Sequence, residues 1–193
     1  MAEQIRTFIA IELNDQTWRA LSDLQVRLKR APSANAIRWV VAENIHLTLK
    51  FLGDVDVEKI PALERALRDA CAGIAPFDLK FGGVGAFPNA NRANVIWVGV
   101  QGDIEIARQL AQRIDDVCAE LGFPREVRAF SPHLTLGRVK LEAGTRERAE
   151  IARMIASAPP REVGSYRVER VSIMKSELRP GGSVYSVLAV IRL

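Results

Sequence analysis

The tetrapeptide His-Leu-Thr-Leu occurs twice, as His46-Leu47-Thr48-Leu49 and as His133-Leu134-Thr135-Leu136, and the two copies hold both histidines of the chain. Finding Leu-Thr-Leu behind the second histidine by chance is about a one-in-a-few-thousand event at ordinary residue usage. The repeat therefore reads as the trace of a duplicated lobe, its spacing being far beyond the ~20–50 residues of a solenoid unit. Each copy opens a β-rich run. Side chains on a strand alternate between faces, so His and Thr of each copy share one face and the two leucines the other. The leucines would anchor each strand in a core. Two lobes related by an approximate two-fold would then turn their His–Thr faces toward each other across a cleft.

The rest of the chain supplies what such lobes need. Period-two patterning predicts strands over 7–13, 37–41, 46–52, 77–84, 95–100, 133–139, 163–175 and 183–192, and helical periodicity predicts helices over 15–30, 57–73, 104–121 and 145–157. Asp103 and Gly122 are placed to cap the ends of the third helix. Arg179-Pro180-Gly181-Gly182 reads as a hairpin turn. Gly82-Gly83-Val84-Gly85 lacks the Lys-Ser/Thr of a phosphate-binding loop and reads as a strand irregularity. With 193 residues, 48% of them hydrophobic, and no Pro/Ser-rich or charged linker, residues 1–193 are expected to pack as one bilobal α+β unit.

Several function classes are disfavoured. No run of 18 or more apolar residues occurs, and Met1-Ala2-Glu3-Gln4-Ile5-Arg6 carries no signal-type apolar segment, so neither a membrane association nor secretion is expected, and the cytoplasm is the expected location. Cys71 and Cys118 fall on the apolar repeats of two predicted helices and read as buried thiols. A zinc site needs about four Cys, His or carboxylate ligands, so no metal, and no other cofactor, is expected. The formal charge of +4, with all but six of the 27 basic residues arginine, permits an anionic substrate without demanding one.

Two histidines and two threonines on facing strands suit one chemistry well. Hydrolysis of a cyclic phosphodiester needs a base to deprotonate water and an acid to protonate the departing ribose oxygen, and histidine serves both roles near neutral pH. Threonine hydroxyls on rigid strands can donate to the non-bridging phosphate oxygens as charge develops there.

On these motifs the chain resembles the two-histidine (2H) phosphoesterase superfamily, and within it the LigT/ThpR-like RNA 2′,3′-cyclic phosphodiesterases. The similarity spans nearly the whole chain. Arg6-Thr7-Phe8-Ile9-Ala10-Ile11, Ile37-Arg38-Trp39-Val40, Leu49-Lys50-Phe51-Leu52-Gly53, Gly85-Ala86-Phe87-Pro88, Val95-Ile96-Trp97-Val98-Gly99-Val100 and the run from Ser131 to Arg138 are similar to that branch's characteristic blocks. The resemblance implies a LigT-like fold of two pseudo-symmetric αβ lobes with antiparallel sheets around a central cleft. It further implies metal-independent opening of RNA 2′,3′-cyclic phosphate ends to 2′-phosphomonoesters, with His46 as proton donor to the 3′ oxygen, His133 as the base that activates water, and Thr48 and Thr135 beside them. A weak 2′-5′ RNA ligase activity is the expected reverse companion. The partner is then RNA with a cyclic phosphate end, and the chain is expected to act as a monomer. Two other readings stay open: a 2H enzyme for another phosphodiester, such as a 2′-5′ linkage, a small cyclic nucleotide or a cyclic ADP-ribose phosphate, and a non-catalytic RNA-binding module. Intact motifs in both copies speak against the last.

Secondary candidates follow from position. Strict alternation turns Arg138 away from the His–Thr face unless a bulge intervenes, although arginine is the natural phosphate partner. The same alternation puts Lys50 on that face. Phe8, Phe130, Trp39, Trp97 and Tyr185 are candidates for stacking on bases, Phe130 foremost because of its nearness to His133. The Asn-rich stretch around Arg92, and Met174-Lys175 where an apolar or aromatic pair is expected, depart from the branch pattern and bear on substrate preference.

Overall fold

Nine strands and four helices follow one another in the computed structural model, which describes residues 3–158, 162–180 and 182–193. In chain order they are β1 (Gln4–Glu12), α1 (Asp15–Leu28), β2 (Ile37–Trp39), β3 (His46–Asp56), α2 (Ile60–Cys71), β4 (Phe77–Phe87), β5 (Val95–Gly102), α3 (Ile104–Glu120), β6 (His133–Val139), α4 (Thr145–Ser157), β7 (Glu162–Val168), β8 (Arg170–Arg179) and β9 (Gly182–Arg192).

The strands form one wholly antiparallel sheet in the order β7-β4-β5-β6-β3-β1-β8-β9, with β2 added against β6. Two half-sheets meet at its centre, where β3 and β6 pair at the single position Leu47–Leu134 and then diverge. The halves are interleaved in sequence. β8 and β9, from the end of the chain, complete the half that holds the first motif, and β2, from its beginning, pairs into the half that holds the second.

Alternation decides which face is which. Ile9 and Ile11 of β1, Phe77, Leu79 and Phe81 of β4, and Ile96 and Val98 of β5 share one buried cluster with Leu21, Leu24 and Leu28 of α1, Leu63 and Leu67 of α2, Ile114 of α3 and Ile151 of α4. The helices thus pack on one face of the sheet, and α3 also reaches the cleft through Arg108, Ala111, Gln112 and Asp115. Leu47, Leu49, Leu134 and Leu136 are all buried in this core, as expected of the leucines in each motif. Burying one such side chain contributes about 1.5–3 kcal/mol. A second, small cluster of Phe8, Ala10 and Met174, with Tyr185 against it, lies on the cleft face.

Local signals explain most boundaries. Asn14 accepts the Thr17 amide at 2.9 Å and starts α1. Asp103 precedes α3 as expected, but its carboxylate accepts the Asp78 amide at 2.9 Å and ties β4 to the helix entry instead of capping it. Gly83, at φ +68°, sits in the register shift between β4 and β5, the irregularity expected of the glycine run. The single strand expected over 163–175 is two strands, divided at Glu169, that lie toward opposite ends of the sheet, β7 at one edge and β8 between β1 and β9. Arg179 and Gly182 pair at the head of the β8–β9 hairpin; Gly181 of the expected turn, like Met1 and Ala2, lies outside the described residues. No helix among the described residues is long and apolar enough to cross a membrane.

Candidate active site

His46 and His133 begin β3 and β6, the two strands that meet at the centre of the sheet. Extending the Leu47–Leu134 register by one residue in each direction sets His46 opposite Thr135 and Thr48 opposite His133. All four side chains are half-buried.

The two imidazoles are oriented alike. His46 Nδ1 lies 2.8 Å from the Asn44 carbonyl, and His133 Nδ1 lies 2.7 Å from the Ser131 carbonyl, in each case two residues upstream. A carbonyl only accepts, so Nδ1 carries a proton in both rings and Nε2 is left for substrate. Each ring also has aromatic support. Phe8 stacks on His46 at 4.7 Å between centroids and Tyr185 meets it edge-on at 5.3 Å; Phe87 meets His133 edge-on at 4.9 Å and leans on Trp97 at 5.3 Å. Burial pushes the His46 pKa down, against the Asn44 carbonyl and the Glu12 carboxylate, which favour the cation. Glu12 is the cross-strand neighbour of His46 and accepts a hydrogen bond from Ser172.

Both motif strands carry an extra residue at the fourth position of the tetrapeptide. Between the Ile9–Lys50 and Ala10–Thr48 pairs Leu49 has no partner, and between the Ile96–Gly137 and Trp97–Thr135 pairs Leu136 has none. Such a bulge shifts the alternation by one. Arg138 is thereby returned to the His–Thr face, opposite Val95, which lines the cleft. Lys50 is turned the other way, opposite Ile9, and Phe51 takes its place on the cleft face, opposite Phe8 and 60% exposed. The fifth residue after each histidine is thus on the His–Thr face, Phe51 in one half, where it lines the cleft, and Arg138 in the other. Strict alternation assigns both Lys50 and Arg138 to the wrong face. Nothing in the residue types marks a bulge, because the extra residue is a buried leucine in both copies.

The structure sorts the remaining candidates. A cleft of about 840 Å³ runs between Thr48 and His133, walled by Phe51, Phe87 and Phe130. Phe130 therefore lines it as expected. Phe8 is 3% exposed beneath His46, so its ring carries the imidazole and offers no free face to a base. Tyr185 shares that packing and stays half-buried. Lys50 lines the cleft but is buried in an ion pair with Asp115 and donates to the Pro124 carbonyl at 2.8 Å, so its ammonium is already engaged. Trp39 donates to the Ala34 carbonyl at 3.1 Å and packs against the core, away from the cleft lining. Trp97 lies on the cleft face across from Thr135, packed under Phe87. Phe51 and Phe87, and the basic Arg108 and Arg128, are among the cleft residues that position and composition did not single out. Among the described residues no three His, Cys, Asp or Glu side chains group as metal ligands would.

The sequence profile described as LigT like Phosphoesterase matches this chain twice, over residues 11–97 and 98–185. A protein of Methanothermobacter thermautotrophicus named RNA 2′,3′-cyclic phosphodiesterase is 38% identical over 190 residues, which cover 98% of this chain and 100% of that protein. One of the same name from Archaeoglobus fulgidus is 33% identical over 186 residues, 96% of this chain and 99% of the other. Among solved structures, that of E. coli LigT complexed with 3′-AMP superposes with a TM-score of 0.77 at 27% identity, covering 99% of each chain.

Proposed function

The chain belongs to the LigT like phosphoesterase family, and from that premise we propose that it hydrolyses RNA 2′,3′-cyclic phosphate ends to 2′-phosphomonoesters by two-histidine acid–base catalysis. The observation that carries this reading is the pair of Nδ1–carbonyl hydrogen bonds, which leave two Nε2 atoms free on the paired central strands, with a motif threonine two residues on from each. Relatives named for this activity, matched over nearly their full length, support the substrate class.

In the proposed reaction His133 Nε2 takes a proton from water as the oxygen attacks phosphorus. The bond from phosphorus to O3′ breaks, and the proton on His46 Nε2 passes to the departing oxygen. A 3′-hydroxyl and a 2′-phosphomonoester result, and exchange with solvent restores the two protonation states. Thr48 and Thr135 donate to the non-bridging oxygens, and Arg138, returned to the cleft face by the Leu136 bulge, neutralises the phosphate. His46 must be protonated at the start although burial favours its neutral form. The bound phosphodiester anion, together with Glu12, supplies the field that restores the cation. Run in reverse with a 5′-hydroxyl, the same site would join ends through a 2′-5′ bond, with hydrolysis favoured in dilute solution.

The test is a product-resolved assay on a short RNA carrying a 2′,3′-cyclic end, run in excess EDTA. The expected product is the 2′-phosphomonoester, at a rate that added divalent metal does not raise. A 3′-phosphate product, no turnover, or activity lost in EDTA and regained with one metal would contradict the reading.

A further inference from the structure

Lys50 and Asp115 are the only charged residues buried among the described residues, and the proposed chemistry uses neither. Taking an ion pair out of water is costly, and apolar side chains of similar volume often stabilise a core as well or better. Their position suggests what the pair does. Lys50 follows the first motif directly on β3, Asp115 faces it from α3, and both reach into the irregular segment 123–132 that leads to the second motif. The Lys50 ammonium donates to the Pro124 carbonyl at 2.8 Å, and the Asp115 carboxylate accepts the Glu126 amide at 3.0 Å. Arg125 pairs with Asp116 and stands 3.6 Å from Asp115. Among the described residues, every hydrogen bond from 124–130 to the rest of the chain ends on Lys50, Asp115 or Asp116. Residues 124–129 are otherwise exposed, Val127 at 98%.

We propose that the Lys50–Asp115 pair is a latch that positions His133, by pinning segment 123–132 to the first motif's strand so that the Ser131 carbonyl stays against Nδ1. The inference rests on the role proposed above for His133. The two histidines differ in what holds their orienting carbonyl. Asn44, which orients His46, closes the short 3₁₀ turn Ala42–Asn44 and donates its side chain to the Ser183 carbonyl at 2.8 Å. Ser131 is exposed at the end of the irregular segment, five residues beyond the last latched amide. The halves also differ at the position after the tetrapeptide: Gly137 in the second motif admits β2, whereas Lys50 in the first reaches α3. Burial opposes ionisation of Asp115, but Lys50, the Glu126 amide and Arg125 outweigh it and hold its carboxyl below the usual range, so the carboxylate stays charged across neutral pH.

The chain's two histidines give two sets of imidazole signals, so ¹⁵N NMR reads each tautomer separately, with His46→Gln making the assignment. Wild type is expected to show both neutral rings protonated at Nδ1. In Lys50→Met, His133 should move toward the Nε2–H form while His46 keeps its tautomer, trypsin should cut faster after Arg125 and Arg128, and kcat per folded molecule should fall about 10- to 100-fold, the scale of a small misplacement of a reacting group. Lys50→Met combined with Asp115→Leu restores an apolar contact and is expected to recover thermal stability but neither the His133 tautomer nor kcat, because the Pro124 carbonyl and Glu126 amide still lack their partners. The NMR and trypsin readouts need no substrate, so a wild type that fails to open the cyclic end would count against the proposed function while leaving the latch to be judged on its own. Retention of the Nδ1–H form of His133, or wild-type kcat per folded molecule, in either variant overturns the proposal.

Discussion

At the scale of single residues, the site depends on groups whose protons are fixed by their neighbours. Burial lowers the His46 pKa from its ordinary 6.5. The folded chain then binds fewer protons than the unfolded one between the folded pKa and 6.5, so stability is full above that window and declines as pH falls through it. An NMR titration of the free chain should place His46 below 6.5, and saturation with a nucleoside 2′-phosphate should raise it; a titration at or above 6.5 without ligand contradicts the burial effect. Thr48→Val and Thr135→Val should each cost on the order of one hydrogen bond to a charged group, ~1.5–3 kcal/mol in transition-state stabilisation, and Arg138→Ala a similar amount in kcat/KM. An Arg138→Ala chain with wild-type kcat/KM would show that the bulge returns the guanidinium to the cleft face for no use. Burial pushes the Cys71 and Cys118 thiols up to about 11, so both should resist alkylation at pH 8 until the chain unfolds.

At the scale of elements, the two bulges carry the most functional information. On β6 the bulge sits beside Gly137, where a Cβ would come within 2.7 Å of Ile37 Cγ2 and 3.1 Å of the Arg38 carbonyl of β2. Gly137→Ala should therefore force β2 away, with an overpacking cost of about 1–3 kcal/mol read as a lower urea midpoint, and with kcat/KM falling because Arg138 is the next residue. An unchanged midpoint would show that β2 yields freely. The sequence made the periodic elements legible: the helices expected over 104–121 and 145–157 are Ile104–Glu120 and Thr145–Ser157, and the strand over 133–139 is His133–Val139. It made the four motif residues legible too, because His and Thr precede the bulge and alternation still holds there. Beyond it alternation fails, which is why Lys50 and Arg138 exchange expected faces and Phe51 was passed over. Also hidden was the split at Glu169, since β7 and β8 read as one extended run and only long-range pairing sends them toward opposite ends of the sheet. The Lys50–Asp115 pair joins residues 65 positions apart, with no local signal in either.

At the scale of the whole molecule, duplication and interleaving act together. Two tandem profile matches show the repeat, yet β2 and β4 of the first match lie in the half-sheet of the second motif, β8 of the second match lies in that of the first, and one core cluster runs through both. Neither half has its full set of strands in its own stretch of sequence, so we expect residues 1–193 to unfold in a single transition, with coincident near- and far-ultraviolet circular dichroism; two resolved transitions would mean that the halves are separate domains. The shared centre of the sheet also sets the two motif strands side by side, one from each repeat, and the proposed reaction needs both histidines at once. That requirement is tested most directly by the pH dependence of kcat and kcat/KM on an RNA with a 2′,3′-cyclic end, measured for wild type beside His46→Ala and His133→Ala. Each variant should lose about 10²–10⁴-fold in rate. The wild-type profile should be a bell whose alkaline limb lies higher in kcat than in kcat/KM, since the bound phosphodiester raises His46, and the limbs report macroscopic constants of the pair. His133→Ala should flatten the acidic limb and His46→Ala the alkaline one. A wild-type profile flat between about pH 5 and 9, or limbs unchanged in both variants, would show that the two histidines are not the acid–base pair.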